Sequence, residues 1–239
     1  MPEITAHRAG AARGPENSLQ ALAQSIAYGT PWAEIDVQLT ADDVVVVHHD
    51  EDLTGFAADP RRVRDLHVGD LPVSPGGVRI ATLAEFIASA RGRIGLNIEL
   101  KDYGHGDTLV TQVVTLLKEQ GFLDQAAVCS FNPALVALAK VRAPELRVGH
   151  VIAEASLPPA PADFVSVDHR AVSATLVREA HEREMAVHSW TVNSRDEMLR
   201  LLVLGVDNLI TDDPALGLAT LRHFEGLSGW RRALLRWGA

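Results

Sequence analysis

The segment WAEIDVQLTADDVVVVHH, residues 32–49, decides the fold of this chain. It holds two strand-like apolar runs, Trp32–Gln38 and Val44–His49, with only the residues from Leu39 to Asp43 between them. A crossover between parallel strands needs about a dozen residues or more, whereas antiparallel strands need only a short turn. The two runs are therefore predicted to form a hairpin.

Strand-like runs alternate with amphipathic helical stretches along the rest of the chain, and this alternation predicts parallel pairing. The predicted strands are Ile4–Arg8, Trp32–Gln38, Val44–His49, Ile94–Leu100, Ala126–Phe131, Leu146–Ile152, Phe164–Asp168, Ala186–Val192 and Asn208–Thr211. The predicted helices are Ser18–Tyr28, Thr82–Ala90, Thr108–Gln120, Pro133–Val141, Ala174–Arg183 and Ser194–Leu204. This set has one strand too many for a closed eightfold barrel, and the hairpin removes that strand from the parallel set.

The predicted fold class is therefore α/β, with one (β/α)8 TIM barrel domain over residues 1–239. A small insertion after the second strand, residues 39–80, is rich in proline and glycine and is expected to be mostly loop. The proline-rich residues 158–161 are expected to replace one barrel helix with an extended link. An open doubly wound sheet is the runner-up, weakened because no Gly-rich phosphate fingerprint follows a strand.

The composition limits the classes of partner and the compartment. A formal net charge of −9 argues against nucleic acid and means that any anionic substrate must be held by a local basic cluster or a metal. Cys129 is the only cysteine, which excludes a disulfide framework and a thiolate metal site. The N-terminus does not resemble a signal peptide, and no apolar run is long enough to span a bilayer. We therefore expect a soluble cytoplasmic protein.

Charged residues interrupt two apolar strands at alternate positions, at Glu34 and Asp36 in one and at Glu99 and Lys101 in the other. Alternation sends these side chains to one face of the strand. Burying bare carboxylates costs several kcal/mol each unless a cation or donor meets them, so this set predicts a partner. Oxygen ligands suit Ca²⁺ or Mg²⁺ better than zinc. Internal salt bridges with Lys101 and Arg8 are the alternative, and these residues alone leave both interpretations open.

The carboxyl ends of the strands form the functional face of a parallel barrel. Polar residues that are unexpected in apolar strands collect at the predicted strand ends and the loops that follow. These residues are His7, Arg8, Glu34, Asp36, His49, Asp50, Glu99, Lys101, Asp168, Trp190, Thr211 and Asp212. One rim of the barrel is therefore predicted to hold two histidines, a carboxylate cluster and two cationic side chains.

An ordered series of short motifs runs from the first predicted strand to the last. It consists of His7-Arg8, Pro15-Glu16-Asn17-Ser18, Glu34-Ile35-Asp36-Val37, Val46-Val47-His48-His49-Asp50, Thr82-Leu83-Ala84-Glu85, Asn97-Ile98-Glu99-Leu100-Lys101, Ser130-Phe131, Trp190-Thr191-Val192-Asn193 and Gly205-Val206-Asp207-Asn208-Leu209-Ile210-Thr211-Asp212. Over nearly the whole chain, this series resembles that of the glycerophosphodiester phosphodiesterase family in order and spacing. Each motif is weak by itself, but the ordered set is highly specific.

The resemblance implies a (β/α)8 barrel and a metal-dependent hydrolase that cleaves glycerophosphodiesters to glycerol 3-phosphate and an alcohol. The implied site residues are His7 and His49 as general acid and base, Arg8 and Lys101 on the phosphate, and Glu34, Asp36 and Glu99 on a calcium or magnesium ion. The chain departs from the family pattern in three ways. Ala9 stands where the family usually has Gly, His48 replaces a common aromatic residue, and the insertion is short.

The chemistry leaves alternatives open. The nucleophile is either water or the neighbouring hydroxyl of the glycerol, which would give a cyclic phosphate first, and the family resemblance favours the hydroxyl. One rival function is a phosphodiesterase that acts on lysophospholipids or other phosphodiesters and releases a cyclic phosphate. Another is a catalytically silent barrel that binds a phosphorylated ligand.

Four further residues are candidates for supporting roles. Glu16 and Asn17 either cap the first helix or lie beside the metal, and these two interpretations are equally favoured. Asp50 follows the second histidine, as the family motif requires. Trp190 is either core packing or a wall for the glycerol or head group.

The C-terminal part of the chain carries two more expectations. Asp212 is expected to anchor the turn that follows it. Residues 221–239 are predicted to be an amphipathic tail in which Trp230, Leu234 and Trp237 share one helical stripe. This stripe is expected to dock on the barrel or on a second subunit, so monomer and homodimer both stay open. Contact with a membrane surface is the weaker alternative.

Overall fold

A computed structural model describes residues 1–159 and 162–227. The strands in these residues are β1 (Glu3–Ala6), β2 (Trp32–Leu39), β3 (Val45–Val47), β4 (Asp52–Leu53), β5 (Asp59–Arg62), β6 (Gly95–Leu100), β7 (Ala126–Ser130), β8 (Arg147–Ile152), β9 (Phe164–Asp168), β10 (Ala186–Trp190) and β11 (Asn208–Thr211). The helices are α1 (Leu19–Ala27), α2 (Thr54–Ala57), α3 (Leu83–Ala90), α4 (Gly106–Glu119), α5 (Pro133–Arg142), α6 (Ala174–Glu182), α7 (Arg195–Leu204) and α8 (Pro214–Gly226).

Eight parallel strands of the described residues close into a barrel, which confirms the predicted fold. Their order around the barrel is β1-β11-β10-β9-β8-β7-β6-β2. β1 completes the ring because it pairs with β2, where Thr5 lies opposite Trp32, as well as with β11. The carboxyl ends of all eight strands therefore meet at one rim.

The predicted hairpin is also confirmed. β3 runs antiparallel to β2, with Val37 opposite Val47 and Leu39 opposite Val45. Most of the insertion lies outside helices and strands, as expected, but residues 52–62 fold into the β4–β5 pair with α2 between its strands. A small apolar cluster of Val46, Leu53, Val63, Leu66 and Ile80 holds the insertion together. These residues follow neither helical nor strand periodicity, so the sequence pattern did not reveal the cluster.

Strand alternation separates the apolar core from the barrel interior. Ile35 and Ile98 are fully buried in the cluster that packs β2 and β6 against the helices. Burial of such a side chain stabilises the fold by about 1.5–3 kcal/mol. Their neighbours Glu34, Asp36 and Glu99 point to the opposite side of the strands and line the barrel mouth. The alternation of side chains along β2 and β6 thus places apolar residues in the core and charged residues at the rim of the barrel.

The described residues include only the first part of the predicted C-terminal tail. Residues 221–226 are the last residues of α8, which packs on β1 and β11, so they belong to a barrel helix and not to a separate tail. Residues 228–239, with Trp230, Leu234 and Trp237, lie outside the described residues. No helix forms in residues 153–159 and 162–163 of the link between β8 and β9, and residues 160 and 161 of the proline-rich stretch lie outside the described residues.

Candidate active site

A cleft of about 270 Å³ opens at the carboxyl ends of the barrel strands. It brings together every residue that was predicted to bind metal, bind phosphate or transfer protons, and it adds an apolar wall. Its lining residues are His7, Arg8, Glu34, Asp36, His49, Asn97, Glu99, Lys101, Cys129, Phe131, Val151, Ser166, Trp190, Thr191 and Ile210. The cleft has the concave shape and the mixed lining that are typical of small-molecule sites.

Three carboxylates converge on one side of this cleft. Glu34, Asp36 and Glu99 each offer one oxygen, and these oxygens lie within 4.8 Å of one another. Burial and the charge of Asp36 raise the pKa of Glu34 to about 8, and burial also raises the pKa of Glu99. Burial opposes ionisation of Asp36 as well, but the charge of Lys101 holds the pKa of Asp36 below its usual value. The three groups therefore cannot all ionise easily without an additional cation.

The two basic residues of the site neutralise part of the cluster. Lys101 Nζ lies 2.9 Å from Asp36 Oδ1 and 2.6 Å from Glu99 Oε1. Arg8 Nε lies 3.7 Å from Asp36 Oδ2, while Arg8 Nη1 donates to both carboxylate oxygens of Glu16 at 2.9 Å. Internal salt bridges are thus present at Asp36 and Glu99. Among the described residues, neither the Lys101 ammonium nor the Arg8 guanidinium forms an ion pair with Glu34, whose Oε2 accepts the Arg8 backbone N–H at 2.8 Å.

The second oxygen of Glu34 tests whether a metal ion fits. Glu34 is 4% exposed, and its Oε1 has no hydrogen-bond partner among the described residues. A buried unpartnered carboxylate oxygen is costly in water-free surroundings, and a divalent cation would remove that cost. The donor set contains only oxygen, which suits Ca²⁺ or Mg²⁺. The residues present therefore fit a hard divalent cation.

His7 belongs to a tight turn, His7–Ala9, that follows β1. Its Nδ1 lies 2.7 Å from Asp212 Oδ1, and its Nε2 lies 4.0 Å from Glu34 Oε2. Burial lowers the pKa of His7, but the hydrogen bond with Asp212 and the charge of Glu34 outweigh this and raise the pKa above its ordinary value. In the neutral ring, Nδ1–H donates to Asp212, which leaves Nε2 free to accept a proton on the cleft side.

His49 also lines the cleft and lies on the loop that follows β3. Its Nδ1 lies 2.7 Å from Asp50 Oδ1, so the carboxylate again holds the same ring nitrogen. The side chain of His49 is 30% exposed, compared with 20% for His7. Both imidazoles are thus held at Nδ1, with the other nitrogen available for chemistry.

The structure corrects the expectation for Asp212. Asp213 is the residue that anchors the turn, because its side chain accepts from Leu216 N at the start of α8. Asp212 instead contacts His7 through one oxygen, and its other oxygen accepts from Asn193 Nδ2 at 2.5 Å. The sequence signal was ambiguous, since two adjacent aspartates before a proline can each cap the helix. The contact with His7 spans 205 residues and has no local signature.

The supporting candidates also have defined contacts. Ser18 is the cap of α1, which leaves Asn17 free to donate to Asp36 Oδ2 at 2.8 Å and to accept from the Asp36 backbone N–H at 3.2 Å. Among the hydrogen bonds of the described residues, Glu16 contacts the site through Arg8. For Asn17, these contacts favour a position beside the carboxylate cluster over helix capping.

Two aromatic side chains, Trp190 and Phe131, form an apolar wall in the same cleft. Trp190 Nε1 donates to the Ser166 carbonyl at 3.0 Å, which fixes the indole ring. The ring of Phe131 meets it edge-on, with the ring centres 5.8 Å apart, and Phe131 is 52% exposed. Asp168 does not line the cleft, since it caps the turn after β9 and pairs with Arg170.

No helix among the described residues combines the length and the apolar character that a bilayer crossing requires.

Comparisons with known proteins agree with this geometry. The family described as glycerophosphoryl diester phosphodiesterase matches residues 7–216. A glycerophosphodiester phosphodiesterase of Caldanaerobacter subterraneus subsp. tengcongensis is 27% identical over 231 residues, which cover 88% of this chain and 94% of that protein. Another, of Bacillus altitudinis, is 29% identical and covers 90% of this chain and 96% of that protein.

A solved structure has the same fold. It is an Oleispira antarctica phosphodiesterase in complex with the product sn-glycerol-3-phosphate. It has a TM-score of 0.86 at 24% identity and covers 93% of this chain and 97% of that chain. Since the family match runs from the first histidine of the cleft to the start of the last barrel helix, the chain belongs to the glycerophosphoryl diester phosphodiesterase family.

Proposed function

We propose that this protein hydrolyses glycerophosphodiesters to glycerol 3-phosphate and an alcohol, with a divalent cation and with His7 and His49 as the proton-transfer groups. One observation carries the proposal. Glu34, whose Oε1 has no partner among the described residues, lines the same cleft as His7 and His49, and each of these histidines has an aspartate oxygen 2.7 Å from its Nδ1. The names of the relatives and the product bound in the Oleispira antarctica structure support the same substrate class.

Binding of the phosphate is the first requirement. A phosphodiester carries one negative charge, so the site must neutralise the phosphoryl oxygens as charge develops. Glu34, Asp36 and Glu99 would hold the cation, which supplies positive charge to those oxygens when it is bound. Arg8 and Lys101 line the same cleft and would add two fixed positive charges on the phosphate. The charge of the substrate is thus compensated locally, although the whole chain is acidic.

Proton transfer is the second requirement, because an alkoxide is a poor leaving group. One imidazole accepts the proton of the nucleophile and the other donates a proton to the departing oxygen. The carboxylates of Asp212 and Asp50 hold Nδ1 of each ring, so Nε2 carries out the transfer. Positioned groups of this kind typically contribute about 10²–10⁴-fold each.

Substrate orientation is the role that we assign to the apolar wall. Trp190 and Phe131 line the same cleft as the charged residues, so the carbon skeleton of the glycerol would pack on the rings while its phosphate meets Arg8 and Lys101. This arrangement presents the ester bond to the histidines in one direction.

The experiment that tests the metal dependence is chelation followed by re-addition of single cations. We expect chelation to abolish turnover and Ca²⁺ or Mg²⁺ to restore it. Glu34→Ala and Glu99→Ala should lose cation binding by calorimetry together with activity. Glu119→Ala, on the exposed side of α4, is the matched control and should change neither. Full activity in the presence of excess chelator would contradict the metal dependence.

Phosphorus NMR of the products tests the substrate class. Glycerol phosphodiesters with different head groups should give glycerol 3-phosphate, and a transient cyclic phosphate would identify the glycerol hydroxyl as the nucleophile. Turnover of lysophospholipids alone would favour the rival phosphodiesterase. Tight binding of a phosphorylated ligand without turnover, with cation present, would favour the silent barrel.

A further inference from the structure

His49 stands on a segment that lies beyond the barrel strands. β3 ends at Val47, and His48–Asp50 continue as a loop at the rim. The backbone N–H of His48 still donates to the Asp36 carbonyl at 2.9 Å. The position of the imidazole in the cleft therefore depends on what holds the next residues of the loop.

Three successive carbonyl groups of this loop each accept a side-chain hydrogen bond. Gln38 Nε2 donates to the carbonyl of His48 at 2.9 Å and to the carbonyl of Asp50 at 2.8 Å. The hydroxyl of Tyr103 donates to the carbonyl of His49 at 2.8 Å. We call Gln38 and Tyr103 the carbonyl clamp.

Both clamp residues are themselves fixed to parts of the site. Gln38 is two residues beyond Asp36 in β2 and is 3% exposed. Tyr103 is two residues beyond Lys101, and its own carbonyl accepts from Arg64 Nη1 at 2.5 Å. The clamp therefore connects the His49 loop to the strand that carries two carboxylates and to the loop that follows the phosphate-binding lysine.

The choice of residue types indicates a positioning function. A buried amide in a strand is costly unless it is hydrogen-bonded, and an apolar residue would pack there at less cost. The amide of Gln38 has two N–H donors, and they serve the two carbonyls on either side of His49. The tyrosine hydroxyl supplies the single donor that the middle carbonyl requires.

We infer that Gln38 and Tyr103 are positioning residues for proton transfer by His49, an inference that rests on the proposed function. Gln38 and Tyr103 fix the backbone of His49 so that its ring contacts Asp50 through Nδ1 and lines the cleft. A displacement of about 1 Å of a reacting group can cost about 10²-fold in rate, so the loss of one clamp bond is sufficient to reduce turnover.

The test is a comparison of two tyrosine variants. Tyr103→Phe removes one oxygen and is expected to lower kcat by about 10-fold, with KM and the melting temperature nearly unchanged. Tyr28→Phe, at the end of α1 and far from the cleft, is the matched control and should match the unmodified protein. Gln38→Met removes two bonds and should lower kcat further. An unchanged kcat in Tyr103→Phe would overturn the inference.

A double-mutant cycle distinguishes positioning of His49 from a general structural effect. In a His49→Ala background, Tyr103→Phe should have no further effect on kcat, because both changes act through the same imidazole. An equal loss in both backgrounds would overturn the inference. The ring ¹⁵N resonances of His49 give a readout without turnover; they should shift in Tyr103→Phe, and unchanged resonances would also overturn it.

The same experiments separate this inference from the proposed function. If His49→Ala retains full kcat, the proposed proton-transfer role of His49 is disproved, and the inference about the carbonyl clamp is disproved with it. If His49→Ala loses activity while Tyr103→Phe does not, only the clamp fails.

Discussion

The two imidazoles of the cleft are held alike at one nitrogen, but they stand on different supports. Each Nδ1 lies 2.7 Å from an aspartate oxygen. The partner of His7 is 205 residues away on the barrel rim, whereas the partner of His49 is the next residue in the chain. The barrel itself therefore holds one of the two proposed proton-transfer groups, and a hairpin insertion whose backbone is bonded by the side chains of Gln38 and Tyr103 holds the other.

The backbones of the two supports also differ. The two residues that follow His7 have left-handed conformations, with φ of 46° at Arg8 and 66° at Ala9. The segment His48–Asp50 contains no such residue, and its carbonyls rely on the clamp. The side chain of Asp212 is 29% exposed, while that of Asp50 is 55% exposed. A less exposed ion pair is less screened, so we expect the barrel support to contribute more to its histidine.

The largest expected effect is removal of either imidazole. His7→Ala and His49→Ala should each lower kcat by about 10²–10⁴-fold, because each removes one proton-transfer group. Cation binding by calorimetry should persist, since neither residue belongs to the carboxylate cluster. His223→Ala, on the exposed side of α8, is the control. Activity that survives both histidine changes, with cation present, would remove the acid–base assignment.

The next effect compares the two aspartates. Asp212→Asn should lower kcat by about 10–100-fold, the range expected when the partner of a functional histidine is replaced. Asp50→Asn should cost less than about 10-fold, because Asp50 is more exposed and the clamp still holds the His49 backbone. The measurement is kcat at saturating substrate for both variants. A larger loss in Asp50→Asn would reverse the proposed order of the two supports.

A pH titration sharpens the same contrast. The pKa of His7 is raised, so folding favours its protonated form. The pairing of His7 and Asp212 therefore stabilises the fold fully below the unfolded pKa of about 6.5 and loses this contribution as pH rises through the folded pKa. The hydrogen bond with His7 lowers the pKa of Asp212. The stability that the ionised Asp212 carboxylate contributes is therefore lost only as pH falls through this lowered pKa.

The check is the difference in unfolding free energy between the metal-free protein and Asp212→Asn. It should be largest at about pH 5–6 and smaller at about pH 8–9. An NMR titration of the His7 ring should give a lower pKa in the variant. A difference that grows with pH would contradict the assignment.

The smallest effect concerns the turn after His7. An alanine in a left-handed conformation is strained by about 1–2 kcal/mol, and Ala9→Gly relieves this strain. Glycine also gives the unfolded chain more conformational entropy, which destabilises the folded protein by about 0.4–1 kcal/mol. It also removes a buried methyl group worth about 0.8 kcal/mol. We expect a net change within about 1 kcal/mol, or roughly 2–4 °C in melting temperature.

Calorimetric melting of Ala9→Gly and Ala9→Val checks this. The valine variant should lose about 2 kcal/mol or more, because the site is fully buried and a branched side chain is disfavoured at this φ. A stable valine variant would show that the turn is not constrained.

The sequence predicted those parts of the molecule that depend on short-range pattern. Phe164–Asp168 and Asn208–Thr211 are strands with the predicted ends, because apolar runs bounded by polar residues mark them. The convergence of Glu34, Asp36 and Glu99 followed from strand alternation together with the closure of the barrel.

What the sequence could not predict depends on contacts between distant residues. The role of Asp212 was misassigned because helix capping is a local signal and its contact with His7 is not. Gln38 and Tyr103 act on backbone carbonyls, which any residue possesses, so no pattern of residue types indicates them. The insertion has a core of its own, but its apolar residues are too irregularly spaced to be recognised as periodic.

The pairing of β1 with β11 has a consequence during protein synthesis. His7 leaves the ribosome 205 residues before Asp212, which at about 5–20 residues per second takes roughly 10–40 s. During that time the first strand lacks one of its two neighbours, and its histidine lacks the carboxylate that orients it. Prematurely terminated translation products that end before the last strand are therefore expected to be inactive.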